Sequence, residues 1–311
     1  MLFCKSVNMK ILTFGGTGFV GSNFVRYAIS KGHEVLVYAR SMNDYAKSLQ
    51  NVGANIIFSY ENYLKDVDCL VYLIGAMWTK DPKEFEYLQV QFPTEIGRKF
   101  FQVNSGKFVY ISSIGVSENI ESKERPIAEE SPHGEGLKPN TLHGITKLEG
   151  EKSVSKFPNY VILRFPIVYG PYSRILMWRI FMWLASHGIG IKNDNMFSVV
   201  STTNTSKAIE LACKYKRNNY FYITDKEPAT LTSLFSDVAK AIQKEIRVWF
   251  PFSVKFIEPF KSSHEILKMA YDVLSRELVY SYKKAERELD YIPEDVRVET
   301  FKEMAKYYKF I

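Results

Sequence analysis

Lys10-Ile11-Leu12-Thr13-Phe14-Gly15-Gly16-Thr17-Gly18-Phe19-Val20-Gly21 is the stretch that decides the fold. A short apolar β-type run feeds a glycine turn, and the turn feeds a helical pattern through Phe24-Val25-Arg26-Tyr27-Ala28. A nucleotide pyrophosphate needs this strand–loop–helix order. Glycines let the backbone approach the phosphates, and the helix start offers free N–H groups with a partial positive charge. The spacing is Gly15-x-x-Gly18-x-x-Gly21, not the G-x-G-x-x-G of the commoner dinucleotide fingerprint. Glycine-rich turns also occur where nothing binds, so the reading rests on the turn's place at the head of a βαβ unit.

An adenosine ribose bound at such a turn meets the end of the second strand, read over residues 33–40. Sites for NAD usually carry Asp or Glu there, and an Arg accommodates a 2′-phosphate. This chain has Tyr38-Ala39-Arg40-Ser41 and no acid, which favours NADP(H) over NAD(H). The other reading of Arg40 is a solvated surface arginine, and it leaves NAD(H) open.

Residues 54–58 read as a third strand and 67–76 as a fourth, apolar enough to be covered on both faces. Phe85, Leu88, Phe92, Ile96 and Phe100 follow at helical spacing, with Pro93 predicting a kink or a break. A fifth strand, 107–113, ends in the hydroxyls of Ser112 and Ser113. The polar stretch 118–140, with Pro126, Pro132 and Pro139, reads as a long loop bordering a site. His143 to Glu151 opens a helix, and residues 160–165 form a sixth strand leading into Pro166-Ile167-Val168-Tyr169-Gly170-Pro171. Strands alternating with helices in this way argue for an α/β fold built on an open, doubly wound parallel sheet of the Rossmann type. Beyond Tyr172 the alternation loosens: an apolar run at 175–184, helices at 202–214 and 231–243, a late strand at 220–223, aromatic stretches at 248–252 and 256–260, and a final helical hairpin.

The 311 residues suit one two-lobed unit. Lys and Arg exceed Asp and Glu by 41 to 34, a net charge of +7 spread along the chain. That is a solvated basic surface favouring anionic ligands such as nucleotides. A nucleic-acid surface would need the cations concentrated with stacking aromatics, which the sequence does not show. Cys4, Cys69 and Cys213 lie far apart with no C-x-x-C spacing, so neither a disulfide framework nor a metal site is expected, and the compartment is expected to be reducing and cytoplasmic. The first eight residues are too short for a signal peptide, and Met9 is an alternative start directly before the first strand. No apolar run reaches a membrane span; 175–191 comes nearest, interrupted by Arg179 and His187, which leaves peripheral membrane contact open.

Taken together, Gly15-x-x-Gly18-x-x-Gly21, Ile74-Gly75-Ala76, Ser112-Ser113, the x-Gly-x-Thr-Lys ending at Lys147, and Arg164-x-x-x-Val168-Tyr169-Gly170-Pro171 resemble the extended short-chain dehydrogenase/reductase family, in its NAD-dependent epimerase/dehydratase branch. Tyr222-Ile223-Thr224 and Pro228-x-Thr230-Leu231 fit it too. The resemblance implies a cofactor domain (9–170 with 200–224) and a smaller α/β substrate lobe (171–199 with 225–311). It places the cofactor on Gly15, Thr17, Gly18, Phe19, Val20, Gly21, Arg40, Ser41, Ile74, Gly75, Ala76, Lys147, Phe165, Pro166 and Ile167. It implies a small-molecule substrate with a hydroxyl or carbonyl group, a sugar nucleotide for example. It also implies a homodimer paired through helices near 83–103 and 143–156.

The family's catalytic set is Ser or Thr, Tyr, and Lys four residues after the Tyr. Ser113 and Lys147 match, but His143 stands at the Tyr position, and no Tyr lies between Tyr110 and Tyr160. His143 and Lys147, at i and i+4, share one helix face. A phenol starts near a pKa of about 10 and must be lowered to exchange a proton, whereas an imidazole starts near about 6.5. Nearby positive charge keeps the ring neutral, and a neutral ring still donates one hydrogen bond or accepts a proton. Two readings stay open: an oxidoreductase or epimerase using Ser113, His143 and Lys147, and a weakly active or inactive cofactor-binding subunit. The apolar lobe also resembles the sterol dehydrogenase branch, a sterol- or quinone-type reading, and the complex I accessory subunit of this fold. Of the remaining groups, His33 reads as a surface turn residue and His187-Gly188 as a helix end. Trp178, Met182 and Trp183 read as core or lid.

Overall fold

The computed structural model describes residues 8–75, 81–117, 126–129, 137, 139–260 and 265–311. β1 (Lys10–Phe14) enters α1 (Phe19–Ser30) through the glycine turn, followed by β2 (Glu34–Tyr38), α2 (Asp44–Gln50), β3 (Asn55–Ile57) and β4 (Cys69–Tyr72). Next come α3 (Pro82–Glu86), a π-helical turn Tyr87–Gln91, α4 (Phe92–Val103), β5 (Lys107–Ser113), α5 (Leu142–Val154) and β6 (Tyr160–Phe165). The chain continues through β7 (Ile167–Tyr169), α6 (Leu176–Ser186), β8 (Ile189–Lys192), β9 (Val199–Ser201), α7 (Thr202–Lys214) and β10 (Asn219–Tyr222). It ends with α8 (Leu231–Ala241), β11 (Val248–Pro251), α9 (Glu265–Ser275), α10 (Lys283–Leu289) and α11 (Arg297–Tyr307).

Seven strands form one parallel sheet in the order β10-β6-β5-β4-β1-β2-β3. The strand order reverses between β1 and β4, and open α/β sheets bind their ligands at such a point, outside the carboxyl ends of the strands. Side chains alternate across the sheet. Ile11, Val35, Val71, Val109 and Val161 face α1 and α7, whereas Leu12, Leu36, Leu70, Phe108 and Ile162 face α4 and α5. Burial on both faces is why these strands read as unbroken apolar runs. A separate apolar core joins Tyr169, Trp178, Met182, Phe235, Val238, Phe301 and Met304 from β7, α6, α8 and α11. Two short parallel pairs, β7 with β9 and β8 with β11, complete the strands.

Four expectations need correction or sharpening. The helical path runs on from Pro82 to Val103, and the departure from α geometry at Pro93 takes the form of a π-helical turn directly before it, where the Leu88 carbonyl accepts from the Tyr72 hydroxyl. Cys69 and Cys213 form a disulfide with a Cα–Cα distance of 5.6 Å, because Cys69 on β4 faces the layer that contains α7; 144 residues separate them, so spacing gave no sign of it. His33 is buried rather than a surface residue. Gly32, at φ +86°, turns the chain so that the His33 Nδ1 accepts from the Met9 N–H at 3.1 Å and its Nε2 lies 3.1 Å from Glu210 Oε1. The tail is not a hairpin, since α10 packs on β10 and α7 while α11 packs on α8. His187 does cap the end of α6, with Gly188 at φ +73° after it, and Trp178 and Met182 are core while Trp183 is exposed.

Candidate active site

The glycine turn has the shape of an anion cradle. Gly15 takes φ +85°, and a Cβ there would stand 2.9 Å from the Ile74 nitrogen. A Cβ on Gly21 would stand 2.1 Å from the Gly15 carbonyl oxygen, so this helix start packs against the loop only with glycine. Gly18 is the N-cap of α1 and no side chain caps it, which leaves the first N–H groups of the helix, at Phe19 and Val20, without a side-chain acceptor. These are the donors a pyrophosphate takes. Thr17 lies in the turn itself. Ile74 and Gly75 follow β4, and a Cβ on Gly75 would meet nothing within 4 Å. Ala76 lies outside the described residues. Arg40 and Ser41 are exposed just beyond β2, and Phe165, Pro166 and Ile167 join β6 to β7. The described positions among these lie at the carboxyl ends of the strands, so the turn fits a dinucleotide.

Ser113, the last residue of β5, accepts a hydrogen bond from the Gly115 N–H at 3.0 Å. The turn it begins is pressed against α5: a Cβ on Gly144 would lie 2.3 Å from the Gly115 carbonyl oxygen. This close approach brings His143, next to Gly144, up to the end of β5. Thr141 caps α5 by accepting from the Gly144 N–H at 3.1 Å, which fixes where the helix starts. One turn on, Lys147 Nζ donates to the Ile111 carbonyl at 2.7 Å and to the Ile74 carbonyl at 3.5 Å, tying α5 to β5 and to the segment after β4. Ser113 at the end of β5 and His143 and Lys147 at the start of α5 therefore lie along the carboxyl edge of the sheet, and Lys147 reaches the Ile74 segment beside the cradle.

His143 is 6% exposed. Its ring meets Phe85 edge-on at 6.5 Å, and its Nδ1 lies 3.3 Å from the Gln89 amide nitrogen. With the amide so oriented, Gln89 donates to Nδ1, the imidazole proton sits on Nε2, and Nε2 has no hydrogen-bond partner among the described residues. Burial, reinforced by the Lys147 ammonium, lowers the imidazole pKa to about 3, so the ring is neutral at physiological pH. Burial also lowers Lys147 to about 7, with Glu151 pulling the other way. Glu151 is itself held by Arg164 of β6 in a two-pronged pair at 3.0 and 2.7 Å, with the guanidinium stacked 4.4 Å from the Tyr220 ring.

Gln89 is the residue that sequence reading missed. It is fully buried in the π-helical turn, and its other amide atom, Oε1, lies 3.3 Å from the Thr146 hydroxyl. Its signal was faint: one amide among Phe85, Ile96 and Phe100 on the inward face of a helical stretch. Single π turns in otherwise α-helical segments often mark functional sites. A hollow of about 540 Å³ lined by Lys10, Glu34, Gln50, Asn55 and Tyr63 lies around the opposite ends of β1 to β3, away from this chemistry.

Comparison with known proteins finds likeness in sequence and in fold. A family model described as "NAD dependent epimerase/dehydratase family" matches residues 11–187. The sterol-4-alpha-carboxylate 3-dehydrogenase (decarboxylating) of Dictyostelium discoideum is 25% identical over 252 residues, 73% of this chain and 75% of that protein. The crystal structure of UDP-glucose 4-epimerase with UDP-glucose from Thermotoga maritima superposes with a TM-score of 0.73 at 22% identity, covering 97% of this chain and 99% of that one. UDP-glucuronic acid 4-epimerase from Bacillus cereus in complex with NAD gives a TM-score of 0.73 at 18% identity, covering 97% and 96%.

Proposed function

This chain belongs to the NAD dependent epimerase/dehydratase family, and from that premise we propose that it is a nicotinamide-dependent oxidoreductase or epimerase acting on a hydroxyl or carbonyl group of a small molecule. A sugar nucleotide is the first substrate class to test and a sterol-like ketone the second. The reading is supported above all by Lys147 on α5, whose Nζ donates to the Ile74 carbonyl beside the uncapped glycine-turn helix, with His143 one turn before it and Ser113 at the carboxyl end of β5. A bound nicotinamide supplies hydride transfer to or from the carbon bearing the substrate oxygen. The protein does the rest. Ser113 orients that oxygen through its hydroxyl. His143, neutral, would offer its Nε2–H as a second hydrogen bond where negative charge develops on the oxygen, and the proton that this oxygen loses on oxidation or gains on reduction would exchange with solvent or with the Lys147 amine, which burial brings to about 7. Lys147, poised near neutrality by burial, holds the cofactor ribose and takes up charge as anionic groups arrive.

NADP(H) is the favoured cofactor, because Arg40 and Ser41 stand beyond β2 where an acid is absent. The lobes 9–170 with 200–224 and 171–199 with 225–311 are supported by the separate core around Trp178 and Phe301, with α10 packed back onto the sheet. A homodimer through the helices near 83–103 and 143–156 would use an outer face carrying Glu95, Arg98 and Gln102 beside the exposed Tyr87, Val103 and Ile145. A monomer by light scattering at micromolar concentration contradicts it. No helix among the described residues is long and apolar enough to cross a membrane; a cytoplasmic location stays part of the proposal, although the Cys69–Cys213 disulfide removes the ground on which a reducing compartment was expected. A second reading, a cofactor-binding subunit with little turnover, draws on the His143 pKa near 3, which makes the ring a poor base.

The test is turnover on panels of sugar nucleotides and sterol ketones, with oxidised and with reduced nicotinamide, followed by coenzyme absorbance for net oxidation or reduction and by chromatography of the products for epimerisation, which changes no net coenzyme. Activity that His143→Ala abolishes supports the enzyme reading. Cofactor binding without turnover on any of them supports the subunit.

A further inference from the structure

Residues 170–175 cross from β7 to α6 over the start of α1, and they are fastened on both sides. Asn23 of α1 donates to the Pro171 carbonyl at 2.8 Å, the Arg26 guanidinium stacks on the Tyr172 ring at 4.6 Å, and the Tyr308 hydroxyl donates to the Ser173 carbonyl at 2.8 Å. Tyr172 is held at φ +65°, a conformation costly for a non-glycine residue, so the surroundings impose the path of this strap.

The strap delivers one side chain onto the nucleotide cradle. Arg174 donates from Nη2 to the Thr17 carbonyl at 3.1 Å, and its guanidinium lies 3.6 Å from the centre of the Tyr45 ring. Thr17 belongs to the turn after β1, and Tyr45 lies in the first turn of α2, which the Arg40-Ser41 loop enters from β2. Because β1 and β2 are neighbours in register, with Phe14 opposite Tyr38, Arg174 spans the carboxyl ends of the two strands. An adenosine ribose on this turn occupies that place. Neither Arg174 nor Arg40 has a carboxylate partner among the described residues. A guanidinium that is stacked on a phenol and bonded to only one carbonyl keeps several N–H groups in a planar fork, the geometry that grips a phosphate monoester.

We infer that Arg174 and Tyr45 complete, from the far side of the strap, a phosphate site on the adenosine ribose, so that Arg174 and Arg40 together select a cofactor carrying a 2′-phosphate. The inference rests on the cofactor reading above. It assigns a specificity role to a residue outside the cofactor turn and explains why the strap is fastened so firmly.

The test compares the dissociation constants of NADPH and NADH for the full chain and for Arg174→Gln, by the fluorescence of the reduced nicotinamide. The expected result is that NADPH weakens by about tenfold, the scale of one charge-assisted hydrogen bond at an exposed site, while NADH stays within about twofold. Arg174→Lys, which keeps the charge but not the fork, recovers part of the loss. Added 2′,5′-ADP competes with NADPH more strongly than 5′-ADP does, and Arg174→Gln reduces that difference. Equal weakening of NADPH and NADH shows a strap that merely supports the turn, and overturns the inference. So does a variant that weakens neither. If the unaltered protein binds neither coenzyme, the cofactor reading fails first and the inference with it.

Discussion

Acidification offers a way to read His143 without knowing the substrate. Burial, and after it the Lys147 ammonium, lower this imidazole from its ordinary 6.5 to about 3. In the unfolded chain the ring takes a proton below about pH 6.5, but in the native chain it does not until far lower. The unfolded state therefore binds more protons, and stability falls as pH drops through that window. The loss is about 1.4 kcal/mol per pH unit, so roughly 2 kcal/mol accumulates between pH 7 and pH 5 from this one group. His143→Gln removes the titration and keeps a polar side chain near Gln89. Urea unfolding of both proteins at the two pH values isolates the term, because every other titrating group is shared. The original chain should lose about 2 kcal/mol more than the variant over that range. Equal losses would mean that the ring titrates normally and is not buried as described.

Three further outcomes follow from the same geometry. His143→Ala should lower turnover by roughly 100- to 10,000-fold, the share of a positioned acid, base or hydrogen-bond donor, and change coenzyme affinity by less than about twofold; turnover that survives intact removes His143 from the chemistry. Gln89→Leu leaves His143 Nδ1 without its donor and frees the tautomer, so kcat should drop by roughly 5- to 150-fold at an unchanged coenzyme Kd, and a parallel loss in Kd would show a packing defect instead. Arg164→Met strands the buried Glu151 carboxylate, whose two oxygens both take the guanidinium, and should cost about 3 kcal/mol by denaturant titration; a cost near zero contradicts the pairing as described.

Local signals carried most of the fold. The β5 and β6 boundaries stand where hydroxyls and turn residues end the apolar runs, and α7 occupies the span its pattern marks. What stayed hidden depended on contacts distant in sequence. The bond between Cys69 and Cys213 exists only because β4 and α7 stack, and His33 looks like a turn residue until Glu210 arrives beneath it. The tail reads as two helices, but its pattern says nothing about which core each helix joins. In the candidate site, Ser113, His143 and Lys147, which stand at the end of β5 and one turn apart on α5, were singled out by the resemblance to the family's Ser, Tyr and Lys positions. Gln89 was not, since a π turn shifts the helical register and turns an amide toward His143. Arg174 was invisible for a similar reason: its role comes from a strap path fixed by Asn23, Arg26 and Tyr308.

The central claim is that the glycine turn holds a nicotinamide dinucleotide, and Gly18 is the place to test it. Its φ of −77° is open to any residue, and an added Cβ meets only the Gly15 carbonyl oxygen, at 3.1 Å. Gly18→Val should therefore fold while filling the space over the first N–H groups of α1. The decisive measurement is the fluorescence titration of NADPH and NADH into the original chain and this variant, with circular dichroism confirming the variant's fold. Saturable binding of one coenzyme per chain, lost in the folded variant, is the predicted result. Binding that Gly18→Val leaves untouched, or none in the original chain, contradicts it.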